Sequence, residues 1–186
     1  MELMDIIKKR KSVRKYTPKP IEREKLIKCI EAARLAPSVD NLQPWRFIVI
    51  DDPEMKKNFC SHICRGIFRP TCFIEDAPVI IIILAKLNFI IHKIGKIVTK
   101  INLHLLDIGI AGEHLVLRAQ ELGIGTCWIN RFNAKKANKY LGLRRKYRVV
   151  SLIALGYPAR GATRNKPDHP IEKILYFNDD FRKGLH

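Results

Sequence analysis

Glycine-rich phosphate grips are missing from this sequence. It has neither G-x-G-x-x-G nor G-x-x-x-x-G-K-[ST], so the common dinucleotide and P-loop arrangements are excluded. Long hydrophobic runs are missing too. The strongest, APVIIIILA at residues 77–85, is too short to span a bilayer as a helix. Its β-branched content predicts a buried strand instead. The N-terminal MELMDIIKKRKS is amphipathic and basic, without the apolar h-region of a secretory signal. Cysteine is sparse and odd in number: Cys29, Cys60, Cys64, Cys72 and Cys127. With no export signal, this predicts free thiols in a reducing, cytoplasmic setting. Cys60 and Cys64 would share a helix face, but no further ligands stand at metal spacing. Repeats and low-complexity tracts are absent. With 186 residues and 47% hydrophobic content, one packed domain over 1–186 is expected.

Acid is also in short supply. Against 35 basic residues stand 18 acidic ones, a net charge of +17. Such an excess favours anionic partners: nucleic acid, membrane surfaces or phosphate-bearing ligands. The charge thickens in KKRKSVRK (8–15) and again over 133–150, where Lys135, Lys136, Lys139, Arg144, Arg145, Lys146 and Arg148 meet no acid. A solvated lysine-rich surface is the simplest account of the second cluster.

Periodicity predicts helices over 3–9, over a stretch with Pro20 in its first turn that Pro37 stops, and over 53–65. Pro20 suits a first helical turn, with Glu22 and Glu24 complementing the helix N-terminus. Residues 86–105 read as helix. DIGIAGEHLVLRAQELGIG (107–125) is a longer helix, with Asp107 placed to cap it and Gly123 to end it. Its apolar residues run nearly all the way round, which calls for burial on most faces, one of them against a second subunit. A short helix follows Asn133 and stops at Gly142. Strands are expected at 46–52, 77–85, 126–129 and 147–157, and the tail from 169 as an extended arm. The irregular alternation indicates a three-layer α/β or α+β domain.

Two stretches could carry chemistry. Arg10, Lys11 and Ser12 place guanidinium, ammonium and hydroxyl in series, a set suited to a dianionic phosphate. In LAPSVDNLQPWRF (35–47), Pro37 and Pro44 frame Ser38, Asn41 and Gln43, with Trp45 beside them. Rigidly framed polar groups of this kind can read a heteroaromatic ring edge. A helix-to-strand turn with a core tryptophan fits the same residues equally well. The histidines at 62, 92, 104, 114, 169 and 186 form no metal-like constellation, and Glu113-His114 is not H-E-x-x-H.

Taken together, IIKKRKSVRKYTPKPIEREKLIKCIEAARLAPSVDNLQPWRFIVI resembles the opening of the nitroreductase family of flavoproteins, with its R-R-S-x-R-x-Y run, P-I-x-x-E and A-P-S-x-x-N-x-Q-P-W. The likeness continues through EDAPVIIIILA, DIGIAGEHLVLRAQELGIGTCWI and LGLRRKYRVVSLIALGYP, and is weakest over 86–105. It implies an α+β, three-layer α/β/α fold. A central, mostly antiparallel sheet would be flanked by helices, and a C-terminal arm exchanged in a homodimer. It implies FMN at the dimer interface. Arg10, Lys11 and Ser12 would hold its phosphate, ribityl chain and pyrimidine edge. Pro37, Ser38, Asn41 and Gln43 would approach the flavin of the partner chain. Ile129, Asn130 and Arg131 match the segment that offers backbone N–H groups to the ring. Asn130 stands where many relatives have glycine, and asparagine tolerates a left-handed backbone there. Arg164 and Lys166 are the candidates for a late basic residue at the phosphate.

The chemistry so implied belongs to the cofactor, with the protein supplying binding and orientation. Hydride would pass from NAD(P)H to flavin N5 and then to a nitroaromatic, quinone or similar small electron-poor acceptor, in ping-pong order. Other flavin chemistry on the same fold, a dehalogenase or an oxidase, and a non-catalytic flavin carrier are the alternatives. A nucleic-acid-binding protein is the rival suggested by charge. Against it, no helix-turn-helix, RNA-recognition or zinc-finger signature is present, and Trp45 and Trp128 are not interleaved with the basic clusters. No specific nucleic acid and no membrane partner are expected.

Overall fold

The computed structural model describes residues 2–87, 101–163 and 168–178. Its centre is the apolar run anticipated as a strand, observed as β2 (Val79–Lys86). β2 is flanked antiparallel by β1 (Trp45–Ile50) and by β4 (Tyr147–Gly156), and β3 (Gly125–Ile129) pairs antiparallel with β4, giving the order β1-β2-β4-β3. The pairing of β2 with β4 shifts between Ile83, opposite Ser151, and Leu84, opposite Val149. Val150 is therefore the extra residue of a bulge.

The unbroken apolar character of β2 follows from burial on both faces. Val79, Ile81, Ile83 and Ala85 point into a core shared with α2 (Arg23–Arg34) and α4 (Leu103–Glu121). Ile80, Ile82 and Leu84 point the other way, toward α3 (Pro53–Ile63) and α5 (Ala134–Tyr140). These are the three layers expected. Each buried isoleucine contributes roughly 1.5–3 kcal/mol by leaving water.

Local chemistry sets the helix ends. The Asp52 carboxylate accepts the Met55 N–H at 2.7 Å, and Pro53 opens α3. Asn133 caps α5 through the Lys136 N–H at 3.0 Å, and Gly142 (φ 58°) closes it. α4 ends at Gly123 (φ 75°), as expected. Two expectations need correction. α2 begins at Arg23 with Glu22 before it, so Pro20 lies outside the helix. α4 begins at Leu103, one turn earlier than read, so Asp107 sits within it and is buried. Most of 86–105 lies outside the described residues. α1 (Leu3–Lys9) packs on α4 and buries Ile6, leaving Leu3, Met4 and Ile7 exposed. Among the described residues, no helix is long and apolar enough to cross a membrane.

Candidate functional site

The first cluster forms where α1 ends. Arg10 closes the helix through its N–H to the Ile6 carbonyl at 2.9 Å, and the chain then turns extended. Ser12 bridges Thr126 of β3 in parallel, and Val13 donates its N–H to the Thr126 carbonyl at 2.8 Å. Gly125 makes this approach possible: a Cβ there would lie 2.6 Å from Val13 Cγ2. The segment Arg10–Ser12 is thus laid along the edge strand. Arg10 Nε lies 3.9 Å from Glu113 of α4, a long contact between partly exposed groups. Such a pair is worth about 0–1 kcal/mol, so the guanidinium can turn to a stronger anion. Lys11 is exposed. The Cys127 thiol beside Ser12 has its pKa raised, chiefly by burial, with Arg14 and Ser12 opposing the shift.

At the far end of β3, Ile129 is buried and Arg131 is exposed. Asn130 does not adopt the left-handed backbone allowed for it. Its side chain works instead: the Ser151 hydroxyl donates to Asn130 Oδ1 at 2.6 Å and lies 3.3 Å from the Ile129 carbonyl. That tie fixes the turn after β3. Trp128 seats β3 on α4, its ring pressed against Gly112.

The second cluster is the loop from Pro37 to Gln43. Asp40 (φ 49°), Asn41 (φ 52°) and Gln43 (φ 44°) are all left-handed without being glycine. Each costs on the order of 1 kcal/mol or more, so surrounding bonds must hold them. The Gln43 N–H donates to Ser38 Oγ at 2.9 Å, and the Gln43 amide donates to Asn41 Oδ1 at 2.7 Å. From the helix side, buried Asp107 accepts the Val39 N–H at 3.2 Å. The Asn41 and Gln43 side chains remain exposed above this frame. Trp45 is a core residue at 4% exposure, so it anchors the loop and does not line it.

Arg10–Ser12 and Ile129–Arg131 thus lie toward opposite ends of β3. The loop meets α4 at a different place from the Arg10 segment. Its anchor, Asp107, and the Arg10 contact, Glu113, are six positions apart on α4, about 9 Å along the axis and roughly a third of a turn around it. Arg164 and Lys166 lie outside the described residues. Asp107, Glu113, Gly112 and Ser151 support the clusters without having been singled out as site residues. Only contacts between distant segments reveal them. Two open cavities of about 360 Å³, one beside α2 and β1 and one between α3 and α5, include none of the candidate residues.

The nitroreductase family model matches residues 7–70, and a model described as a TM nitroreductase matches 84–186. A nitroreductase family protein of Clostridium novyi NT is 34% identical, covers 89% of each chain and superposes with a TM-score of 0.76. This chain belongs to the nitroreductase family. Further relatives within it are an FMN-dependent nitroreductase of Clostridium difficile R20291 and an FMN reductase [NAD(P)H] of Bacillus subtilis strain 168. The first is 33% identical over 94% of this chain and 99% of that one, with a TM-score of 0.74. The second is 29% identical over 96% of this chain and 76% of that one. The first nitroreductase match contains both Arg10–Ser12 and the Pro37–Gln43 loop, and the second contains all of β3.

Proposed function

We propose that this chain is an FMN-dependent oxidoreductase. It takes reducing equivalents from NADH or NADPH and delivers them to a quinone, a nitroaromatic or a similar electron-poor acceptor. The observation that carries the reading is the delivery of Arg10, Lys11 and Ser12, in series, to the edge of β3 in a nitroreductase-family chain.

The donor set fits the cofactor. Guanidinium, ammonium and hydroxyl suit a phosphate dianion through charge-assisted hydrogen bonds. The exposed Asn41 and Gln43 amides suit the polar edge of a flavin ring, and Pro37 and Ser38 hold the loop that presents them. The N–H groups of Ile129, Asn130 and Arg131 complete the ring contacts, with Ser151 fixing Asn130. A late basic residue, with Arg164 and Lys166 as the candidates, would add positive charge at the phosphate. When bound, FMN supplies a two-electron carrier that accepts and returns hydride. The chain's part is to bind and orient, and to set a positive field that favours the reduced, negatively charged ring. Protons for the acceptor come from water, so no histidine has to reach the site.

The reading also requires two subunits. In this reading a second copy of the chain supplies the loop to each flavin. Leu105, Leu106 and Ile110 on α4, with Leu3, Met4 and Ile7 on α1, leave apolar surface for that contact. Exposed Ile171, Ile174, Leu175 and Phe177 give the C-terminal arm an apolar side with which to reach onto the partner.

The test begins with colour. The purified protein should be yellow or take up FMN, and denaturation should release it. Anaerobic NADH or NADPH should bleach it, and a quinone should restore the colour, with parallel-line steady-state kinetics. A protein that binds no FMN refutes the reading. One that binds FMN but is reduced by neither nicotinamide is a flavin carrier or uses another donor. Salt-sensitive nucleic-acid binding would not discriminate, because a net charge of +17 produces it under any reading.

A further inference from the structure

Three of the five cysteines converge at the C-terminal end of α3, on the sheet face away from α2 and α4. Cys60 and Cys64 are buried, and Cys72 packs on them, half-buried, from a segment of 3-10 turns at Gly66–Asp76. None of the three belongs to the clusters on β3 and the loop. Among the described residues, no group of side chains is arranged to hold a metal ion, which leaves thiol chemistry.

The Cys64 sulfur is where the hydrogen bonds meet. Thr71 Oγ1 donates to it at 3.8 Å, and the neighbouring Cys60 and Cys72 thiols also lower its pKa. Cys72 Sγ also lies 3.1 Å from the Cys64 carbonyl oxygen. The Cys72 sulfur therefore sits against both the sulfur and the backbone of Cys64. Several donors on one sulfur favour its thiolate, the nucleophilic form. The Cys64 pKa is accordingly lowered to about 7, chiefly by the Cys60 hydrogen bond. Cys60 is raised, first by that same bond, and Cys72 is raised by burial. Glu75 opposes the Cys64 thiolate, and Arg69 faces Cys72.

We propose that Cys64 and Cys72 form a reversible oxidation site that closes to a disulfide when hydrogen peroxide reaches the cluster. The Cys64 thiolate attacks one peroxide oxygen, the O–O bond breaks, and hydroxide leaves. Cys64 is then a sulfenic acid. The Cys72 thiol attacks that sulfur, the S–O bond breaks, and water leaves with the Cys72 proton. The two thiols lose two electrons in all and peroxide is reduced to water. Cys72 is the resolving thiol because it sits on irregular backbone that can adjust. Cys60 is fixed in α3, its carbonyl accepting the Cys64 N–H at 2.9 Å. Helical positions four apart hold their Cβ atoms about 5–6 Å apart, and a disulfide needs about 3.5–4.5 Å. The half-exposed Thr71–Cys72 side gives a small oxidant its entry. Closure would pin the 3-10 segment to the end of α3.

Peptide mapping of the full-length protein tests this. After dilute hydrogen peroxide, an acid quench and alkylation under denaturing conditions, trypsin should yield peptides 58–65 and 66–86 joined. Their mass should be lower by two hydrogens than the sum of the free peptides, and dithiothreitol should separate them. The link should persist in Cys60→Ser and vanish in Cys72→Ser. Before oxidation, alkylation of Cys64 should quicken about tenfold between pH 6 and pH 8, as its thiolate fraction rises. A Cys72 that stays fully alkylatable in the parent protein after peroxide overturns the proposal, as does a Cys60–Cys64 link. Both outcomes are read on the parent protein, so the test does not depend on the variants folding.

Discussion

Gly112→Ala is the substitution whose outcome the packing fixes most tightly. Alanine is the better helix former, by about 1 kcal/mol in a helix interior, so propensity alone predicts stabilisation. The added Cβ, however, would lie 2.2 Å from Trp128 Cη2 and 2.6 Å from Cζ2. Carbon atoms pack at about 3.5–4.0 Å, so ring and helix must part by roughly 1.5 Å. Overpacking of that kind costs about 1–3 kcal/mol. Set against the propensity gain, and with the half-buried indole giving some of the distance, the net destabilisation is about 0–2 kcal/mol. Equilibrium urea unfolding reads it directly, and Tm should fall by about 2–4 °C per kcal/mol for a chain of this size. A double-mutant cycle isolates the clash. Trp128→Leu removes the offending atoms, so Gly112→Ala in that background should cost at least about 1 kcal/mol less than in the parent. Because β3 leads into Asn130 and Arg131, the single variant should also weaken the proposed FMN binding. If Gly112→Ala stabilises the protein, or the two substitutions are additive, the close seating of β3 on α4 is wrong.

Further expectations follow from the same contacts. Arg10→Ala should weaken FMN binding by about 1.5–3 kcal/mol, the scale of a hydrogen bond to a charged group, as read by fluorescence titration; unchanged affinity would remove Arg10 from the phosphate site. Asn41→Gly keeps a left-handed backbone accessible while deleting the amide, so it should slow flavin reduction by NAD(P)H and leave unfolding nearly unchanged; Asn41→Ala should in addition cost stability, on the order of 1 kcal/mol, because alanine resists φ 52°. Asp52→Ala should cost about 1 kcal/mol through the lost cap on α3, with no effect on flavin affinity. For the proposed dimer, Ile110→Lys is the informative charge, since Ile110 is exposed whereas Leu115 is fully buried in the chain's own core; sedimentation should show dissociation together with flavin loss, and a stable flavin-loaded monomer would refute the shared site.

The element pattern was legible because its causes are local. β2 declared itself by an unbroken run of β-branched residues, α5 by Asn133 and Gly142, and the end of α4 by Gly123. The resemblance to the nitroreductase family rested on the order of several motifs, and the family matches agree with it. Asp107 was misread for a reason equally physical. An acid before an apolar helix looks like a cap, and only the helix's earlier start and the packed loop show that it holds the Val39 N–H. Trp45 shows the same limit. Beside four polar residues it was open to two readings, and burial against α2 and α4 assigns it to the core.

Sequence by itself determined which segments are helices and strands, where most of them stop, and which residue types are available to hold a phosphate or a polar ring edge. Those properties depend on neighbours within a turn or two, and so they are written in spacing and composition. Tertiary structure alone decided that Ser12 lies on Thr126, that Ser151 ties down Asn130, and that the loop and the Arg10 segment meet α4 on different sides. Each of those contacts joins residues tens of positions apart. Their partners are chosen by how the layers pack around β2, and no local pattern in the chain records that choice.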